Sequence, residues 1–339
     1  MKAIVIREFG PPDVMRLEEV PTPEPGPGEV LIRVHAVSVN RTLDLVVRAG
    51  KYARPVKLPH VLGVDPSGVI AAVGEGVTAR KVGDLVVTTT RVNRPGPEEP
   101  PQLLGVHVWG GYAEYVTVPA AITHFVPAGL DFPLATVVAR HAPTAFHLLR
   151  DRAKLAAGEW VLVMGAAGGL GSAGVQAAKI LGARVIAGAG ADDRVQAAIR
   201  LGADAGVNYR ASDLTAEVMR ITQGRGVDIV FENIGEPELF AKAFATLVRR
   251  GGRLVTAGGH GGGIVPLDVN RLYLNHLTVI GATGEEASDY RASLEAAASG
   301  KYKALIDRIL PLADAVRAHE IVAGRMSVGK IVLDPTAVK

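Results

Sequence analysis

The chain contains no cysteine. Disulfide bonds and thiolate metal sites are therefore excluded, and a reducing compartment, by default the cytoplasm, is expected. Long apolar runs are missing too. The longest weakly polar stretch, residues 161–178, is interrupted by five glycines and a serine, so no membrane span is expected. The first residues, "MKAIVIREFG", hold an apolar stretch of only four residues before Arg7 and Glu8, too short for a secretory signal. An excess of one charge is absent as well: 37 basic and 34 acidic residues leave a net +3. That balance, without a basic patch, argues against nucleic acid as a partner. What remains is 339 residues, 48% hydrophobic and 21% charged, with 40 glycines gathered in turns. This is the composition of a folded protein, and by length of two domains.

The first third reads as β-rich. "EVLIRVHAVSV" sets Val30, Ile32, Val34 and Ala36 on one face and Arg33 and His35 on the other, the period of a strand. "SGVIAAVG", "DLVVTTT" and "AEYVTV" are further short strand patterns, and 93–102 is a Pro-rich exposed loop between two of them. Short strands between turn residues suggest a small barrel or sandwich. From about Pro133 the rhythm changes. Apolar runs at 161–164, 184–187, 206–209, 228–232, 253–257 and 277–280 alternate with helical stretches at 171–181, 193–201, 214–223 and 237–248. Six strands with crossovers between them predict a doubly wound, six-stranded parallel α/β sheet covered by helices. The tail, with "KALIDRILPLADAVRAHEIV" and "GKIVL", is expected to end in a helix and a strand that return to the first domain.

One turn carries chemistry. "WVLVMGAAGGLGSAGVQAAK" joins a strand to a helix through Gly165, Gly168, Gly169, Leu170 and Gly171. Such a turn leaves the strand sharply, lets backbone approach a diphosphate without a Cβ in the way, and packs the helix close to the sheet. The helix N-terminus then offers free N–H groups and the positive end of its dipole. An NAD site usually ends its second strand in a carboxylate that binds the ribose 2′-hydroxyl. Here Ala189 and Gly190 stand there, and Asp192 and Asp193 fall in the first turn of the next helix. Arg194 could meet a 2′-phosphate, and Tyr209, ending the third strand, could hydrogen-bond it. The expected cofactor is NADPH in preference to NADH.

The order of parts and the motifs "LPHVLGVDPSGVIAAVGEGV", "KVGDLVV", "GGYAEYVTVP", "PTAFHLL", "GAAGGLGSAGVQAAK", "LGADAGVNYR" and "GGRLVTAGG" resemble the medium-chain dehydrogenase/reductase superfamily over nearly the whole chain. Within it the chain looks most like the zinc-free quinone oxidoreductase and enone reductase branch. The resemblance implies a GroES-like barrel domain at 1–130 and 286–339 and a Rossmann domain at 131–285. It also implies Thr144 at the nicotinamide, with Asn233, Gly258 and Ala282 lining the ring and ribose, and a homodimer formed by the edge strand near 277–281.

Zinc-type relatives hold their metal with two cysteines and a Gly-His-Glu motif. On the motifs above, that motif falls on Gly63, Val64 and Asp65, the first cysteine near Arg41, and the second on Arg140. Valine and arginine cannot ligate zinc, and the nine histidines offer no i, i+4 pair. No bound metal is expected. Asp65 is expected to tie down one or both of Arg41 and Arg140, and one arginine could then hold a substrate carbonyl. The alternative is that both arginines face solvent. Quinone reductases show Asn-x-x-Asp followed by Gly-x-Tyr. Here Asn40 and Asp44 lie one residue further apart, which would displace Asn40 from the pocket, whereas Tyr52 matches and could donate a proton. Asp44 reads as a structural hydrogen-bond partner.

The expected activity is NADPH-dependent, zinc-independent hydride transfer to a quinone or α,β-unsaturated carbonyl. A metal-free carbonyl or alcohol oxidoreductase and a non-catalytic NADPH-binding sensor stand as alternatives. Neither nucleic acid nor a membrane is an expected partner.

Overall fold

In chain order the N-terminal elements are β1 (Lys2–Ile6), β2 (Met15–Glu19), β3 (Glu29–Ser38), α1 (Asp44–Arg48), β4 (His60–Val61), β5 (Ser67–Val73), β6 (Leu85–Thr88), β7 (Tyr115–Pro119), β8 (Thr123–Phe125) and α2 (Phe132–Phe146). They come from a computed structural model that describes residues 1–92, 100–259, 261–282, 285–324, 326–327 and 329–337. Most of the Pro-rich loop read from the sequence, residues 93–99, lies outside the described residues. β3 organises this part, pairing antiparallel with both β5 and β7. Its alternation puts Val30, Ile32, Val34 and Ala36 in the core and leaves Arg33 exposed. Leu31 and Val37 are buried as well, because neighbouring elements cover parts of both faces.

A second run follows: β9 (Trp160–Met164), α3 (Gly169–Ile180), β10 (Arg184–Ala189), α4 (Asp192–Arg200), β11 (Ala205–Asn208), α5 (Leu214–Ile221), β12 (Ile229–Glu232), α6 (Pro237–Ala245), β13 (Arg253–Thr256), α7 (Val269–Leu274), β14 (Thr278–Gly281) and α8 (Ala287–Ala298). Its six strands are all parallel, in the order β11-β10-β9-β12-β13-β14. All five residues of β9 are buried, as the unbroken apolar run requires of a strand with helices on both faces. Truncating the fully buried Leu162 or Met164 would cost ~2–5 kcal/mol. The chain direction across the sheet reverses between β9 and β12, so the carboxyl ends of these strands form the switch point where such sheets bind ligands.

The tail adds β15 (Ile306–Pro311), α9 (Ala315–Ala323) and β16 (Lys330–Asp334). β16 pairs antiparallel with β3, Val332 against Ser38 and Leu333 against Val37. The chain divides into two compact units, Met1–Arg140 with Ala304–Lys339, and His141–Lys303. Among the described residues no helix is long and apolar enough to cross a membrane.

Candidate functional site

In the second unit three glycines of the β9–α3 turn, Gly165, Gly169 and Gly171, each have their own steric reason. Gly165 sits at φ 63°, a conformation that side chains strain to adopt. A Cβ on Gly171 would lie 2.1 Å from the Gly165 carbonyl oxygen, so only glycine lets the helix settle on the turn. A Cβ on Gly169 would meet the His141 ring, 2.6 Å from Nε2. Gly168 differs: its nearest neighbour would be the Gly165 oxygen at 3.2 Å, and the residue is exposed. A side chain at Gly168 would ask the turn to give by only a few tenths of an ångström. α3 begins with no side-chain cap and no acidic residue in its first turn. The N–H groups of Gly169, Leu170 and Gly171 have no intrahelical acceptor, and together with the helix dipole they suit an anion.

The end of β10 is covered by β11's exit. A Cβ on Gly190 would lie 3.1 Å from Tyr209 Cε2 and 3.2 Å from both the Tyr209 hydroxyl and Arg210 Nε. Burial pushes the Tyr209 phenol up, with the Arg210 and Arg194 guanidinium charges pulling the other way. Two cations and a phenol therefore gather where an NAD site carries a carboxylate. Asp192 instead accepts from Asn208 Nδ2 at 2.9 Å, in the first turn of α4. A cavity of about 390 Å³ opens beside Tyr209 and Arg210 and is also lined by Ile234, Glu236, Leu239 and Lys242.

Asn233 follows β12 and donates from Nδ2 to the Met164 carbonyl at 2.5 Å, clamping the glycine turn. A Cβ on Gly258 would lie 2.5 Å from the Asn233 carbonyl oxygen, so these two stretches touch backbone to backbone. Ala282 continues β14, its N–H donating to the Thr256 carbonyl at 3.2 Å. The Thr144 hydroxyl donates to the Glu285 carboxylate.

In the first unit the structure builds a buried polar cluster around Asp65. Asp65 accepts from the Ser38 N–H at 2.8 Å, the Ser38 hydroxyl at 2.6 Å and Asn40 Nδ2 at 3.0 Å. Neither arginine is its partner. Arg41 is exposed and donates to the Val322 and Ala323 carbonyls at 3.1 and 3.4 Å, at the C-terminal end of α9, where a cation is favoured. Arg140, on α2, is half-buried, and its buried Nε has no hydrogen-bond partner among the described residues.

Asn40 is not displaced by the extra residue before Asp44. Asp44 accepts the Asn40 N–H at 2.7 Å and the Gly63 N–H at 3.1 Å, and so holds the loop that carries Asn40. Burial, and then the Asp65 charge, push the Asp44 carboxyl up to about 7. Lys330, at the start of β16, donates from Nζ to Asn40 Oδ1 at 2.6 Å. Tyr52 is half-buried and meets the His107 ring edge-on, centroids 5.7 Å apart.

Comparison with known proteins matches this geometry. Residues 26–128 match the alcohol dehydrogenase GroES-like domain family, and residues 169–299 the zinc-binding dehydrogenase family. The human quinone oxidoreductase is 32% identical over 339 residues, covering 98% of this chain and 97% of its own. The chain belongs to the medium-chain dehydrogenase/reductase superfamily, in its quinone oxidoreductase-like branch. A 2-haloacrylate reductase from a Burkholderia species is 32% identical, with 99% of each chain covered. A crystal structure of an NAD-dependent alcohol dehydrogenase superposes with a TM-score of 0.86 at 36% identity, covering 98% of this chain and 99% of its own.

Members of this superfamily are oxidoreductases that bind nicotinamide cofactors, and the free amides of the β9–α3 turn fit the diphosphate of such a group. The zinc of the zinc-type members fits less well. At the corresponding place this chain offers an amide, two carboxylates already engaged by N–H and O–H donors, an ammonium and a guanidinium. Two cations beside a divalent ion would repel it, and neither thiolate nor imidazole is among these donors. Among the described residues one histidine–carboxylate group is close enough to hold an ion: His147, Asp151 and Asp289 in the second unit. There the Arg150 guanidinium already bonds both carboxylates at 2.7–2.9 Å, and Asp289 accepts the Glu286 N–H at the start of α8.

Four residues of these sites escaped the sequence reading: His141, Arg210, Glu285 and Lys330. Arg210 directly follows Tyr209, so strand-end position was a usable signal. Lys330 opens "GKIVL", which reads only as a strand. Nothing local marks His141 or Glu285.

Proposed function

We propose that this oxidoreductase uses NADPH to reduce quinones or α,β-unsaturated carbonyls without a metal ion. The observation that carries the reading is the donor set around Asp65. It offers an ammonium and a guanidinium, groups that can stabilise a negative oxygen but polarise a simple carbonyl less strongly than a metal ion does. An activated double bond needs that weaker help: charge develops on a conjugated carbonyl oxygen and is met by hydrogen-bond donors. Bound reduced nicotinamide would supply the hydride. The amides of Gly169, Leu170 and Gly171 would hold its diphosphate, with Gly168 leaving room for it. Tyr209, Arg194 and Arg210 would take the 2′-phosphate, the feature that favours NADPH over NADH. Thr144, Asn233, Gly258 and Ala282 would line the nicotinamide end, with Glu285 orienting the Thr144 hydroxyl. On the substrate side Tyr52 and Arg140 are candidate donors. Arg41, bound to the end of α9, takes no part.

The names of the human quinone oxidoreductase and the 2-haloacrylate reductase support reduction of conjugated acceptors. The test follows NADPH oxidation with matched pairs of enones and saturated ketones. Turnover of enones and quinones but not of the ketones is expected. Turnover confined to ketones would favour the metal-free carbonyl oxidoreductase instead, and metal analysis showing one zinc per active chain would refute the metal-free chemistry.

We further propose a homodimer through β14. This strand is the edge of its sheet, and an uncovered edge invites pairing. Val269, Tyr273, Leu274 and Val279 in and just before it are 59%, 61%, 64% and 40% exposed, apolar side chains that a partner copy would cover.

A further inference from the structure

The Lys330 ammonium is held in a defined orientation. Its partner, the Asn40 side-chain oxygen, belongs to an amide whose nitrogen donates to the Ser38 carbonyl at 3.2 Å, the Ser38 hydroxyl at 3.1 Å and Asp65 at 3.0 Å. Flipping that amide would break all three contacts, so the oxygen is fixed toward Lys330. An ammonium carries three N–H donors, and among the described residues Asn40 is the one hydrogen-bond acceptor the Lys330 ammonium meets. Two donors remain for a ligand. The charged groups facing it are Asp65, Asp44 on α1 and Arg140 on α2. Burial, opposed by the two aspartates and aided by Arg140, lowers the ammonium to about 8. A lysine there stays protonated at neutral pH yet gives up a proton far more readily than one in water.

We propose that the Lys330 ammonium receives the carbonyl oxygen of the substrate and gives it a proton, with Asn40 and Asp65 as positioning residues. This rests on the reading that the chain reduces enones or quinones. As hydride bonds to the β-carbon, the C=C electron pair shifts to join Cα to the carbonyl carbon, and the C=O π pair moves onto oxygen. That oxygen bonds a Lys330 proton while the N–H bond breaks, leaving an enol and a neutral amine. Solvent returns a proton to the amine, and the enol tautomerises to the saturated carbonyl. The sum is one enone, one hydride and one proton giving one saturated carbonyl.

The test has a readout that needs no turnover. 4-Nitrophenol, whose anion bears its charge on oxygen as an enolate does, is titrated into the full chain at a pH below its own pKa. The wild type is expected to bind it as the coloured phenolate. Lys330→Met should lose this binding at least about tenfold, and Lys330→Arg, which keeps the charge, should retain it. In kinetics, Lys330→Met should lower kcat/KM for an enone about 100-fold with unchanged NADPH affinity. The wild-type rate should fall above about pH 8. That fall should vanish in Lys330→Arg and shift in Asn40→Ala, which a merely structural asparagine would not cause. Equal phenolate capture by Lys330→Met overturns the inference even if enones are reduced. So does a Lys330→Met variant that weakens NADPH binding alone. Phenolate capture that depends on Lys330, with no enone or quinone turnover by the wild type, upholds the oxyanion site and sinks the quinone–enone reading instead.

Discussion

Gly168→Ala and Gly171→Ala separate what the nucleotide needs from what the fold needs. At Gly168 a methyl would meet nothing closer than the Gly165 oxygen at 3.2 Å, and φ is −78°, ordinary for alanine. Losing glycine at an N-cap costs from a few tenths to about 1 kcal/mol. At Gly171 the methyl would lie 2.1 Å from the same oxygen, and the helix start must move, an overpacking cost of ~1–3 kcal/mol. If the diphosphate lies on these amides, the Gly168 methyl occupies its contact surface. A loss of about 10- to 100-fold in affinity, ~1.4–2.8 kcal/mol, is expected. Titration calorimetry with NADPH and urea unfolding of the three proteins give the comparison. Gly168→Ala should fold nearly as stably as the wild type and bind poorly, whereas Gly171→Ala should lose both stability and binding. Gly168→Ala that binds NADPH like the wild type would refute the placement of the diphosphate. Gly171→Ala with unchanged stability would refute the steric account of the turn.

Arg210→Ala should raise the dissociation constant for NADPH about tenfold and leave that for NADH unchanged, as fluorescence titration with both nucleotides would show. Burial, and then the Arg48 charge, lower the fully buried His319 imidazole to about 3. Its folded value lies below the unfolded one, near 6.5, so its stability contribution is complete above that pH and lost as pH falls toward 3. Roughly 2 kcal/mol should be gone by about pH 5, and His319→Gln, which can still bond the Tyr112 hydroxyl, should flatten urea midpoints measured against pH. Val279→Asp should yield monomers in analytical ultracentrifugation without changing the far-ultraviolet circular dichroism.

The parallel sheet was legible because strands buried on both faces read as unbroken apolar runs, and each predicted run overlaps an observed strand. α7 was not, since Val269, Tyr273 and Leu274 are exposed and leave no polar-against-apolar period to find. The glycine turn could be placed by spacing, but the reason for Gly169 could not: the ring it accommodates belongs to His141, 28 positions earlier. Around Asp65 the alignment of motifs named the wrong partners. Position along the chain does not say where a long arginine side chain turns, and Arg41 turns to helix-end carbonyls. Lys330 enters that neighbourhood through β16 pairing beside β3, a contact between residues about 290 apart.

That pairing also constrains the order in which the molecule assembles. Beside Val37 and Ser38, β3 is completed only by residues about 290 positions later, and Ile331 and Leu333 fill a core otherwise built from the first 122 residues and α9 with its lead-in. During synthesis this flank at the end of β3 must wait open while the whole parallel-stranded unit emerges. A chain stopped before Lys330 would present that flank to other chains, so premature termination here should yield aggregates rather than a shortened soluble protein.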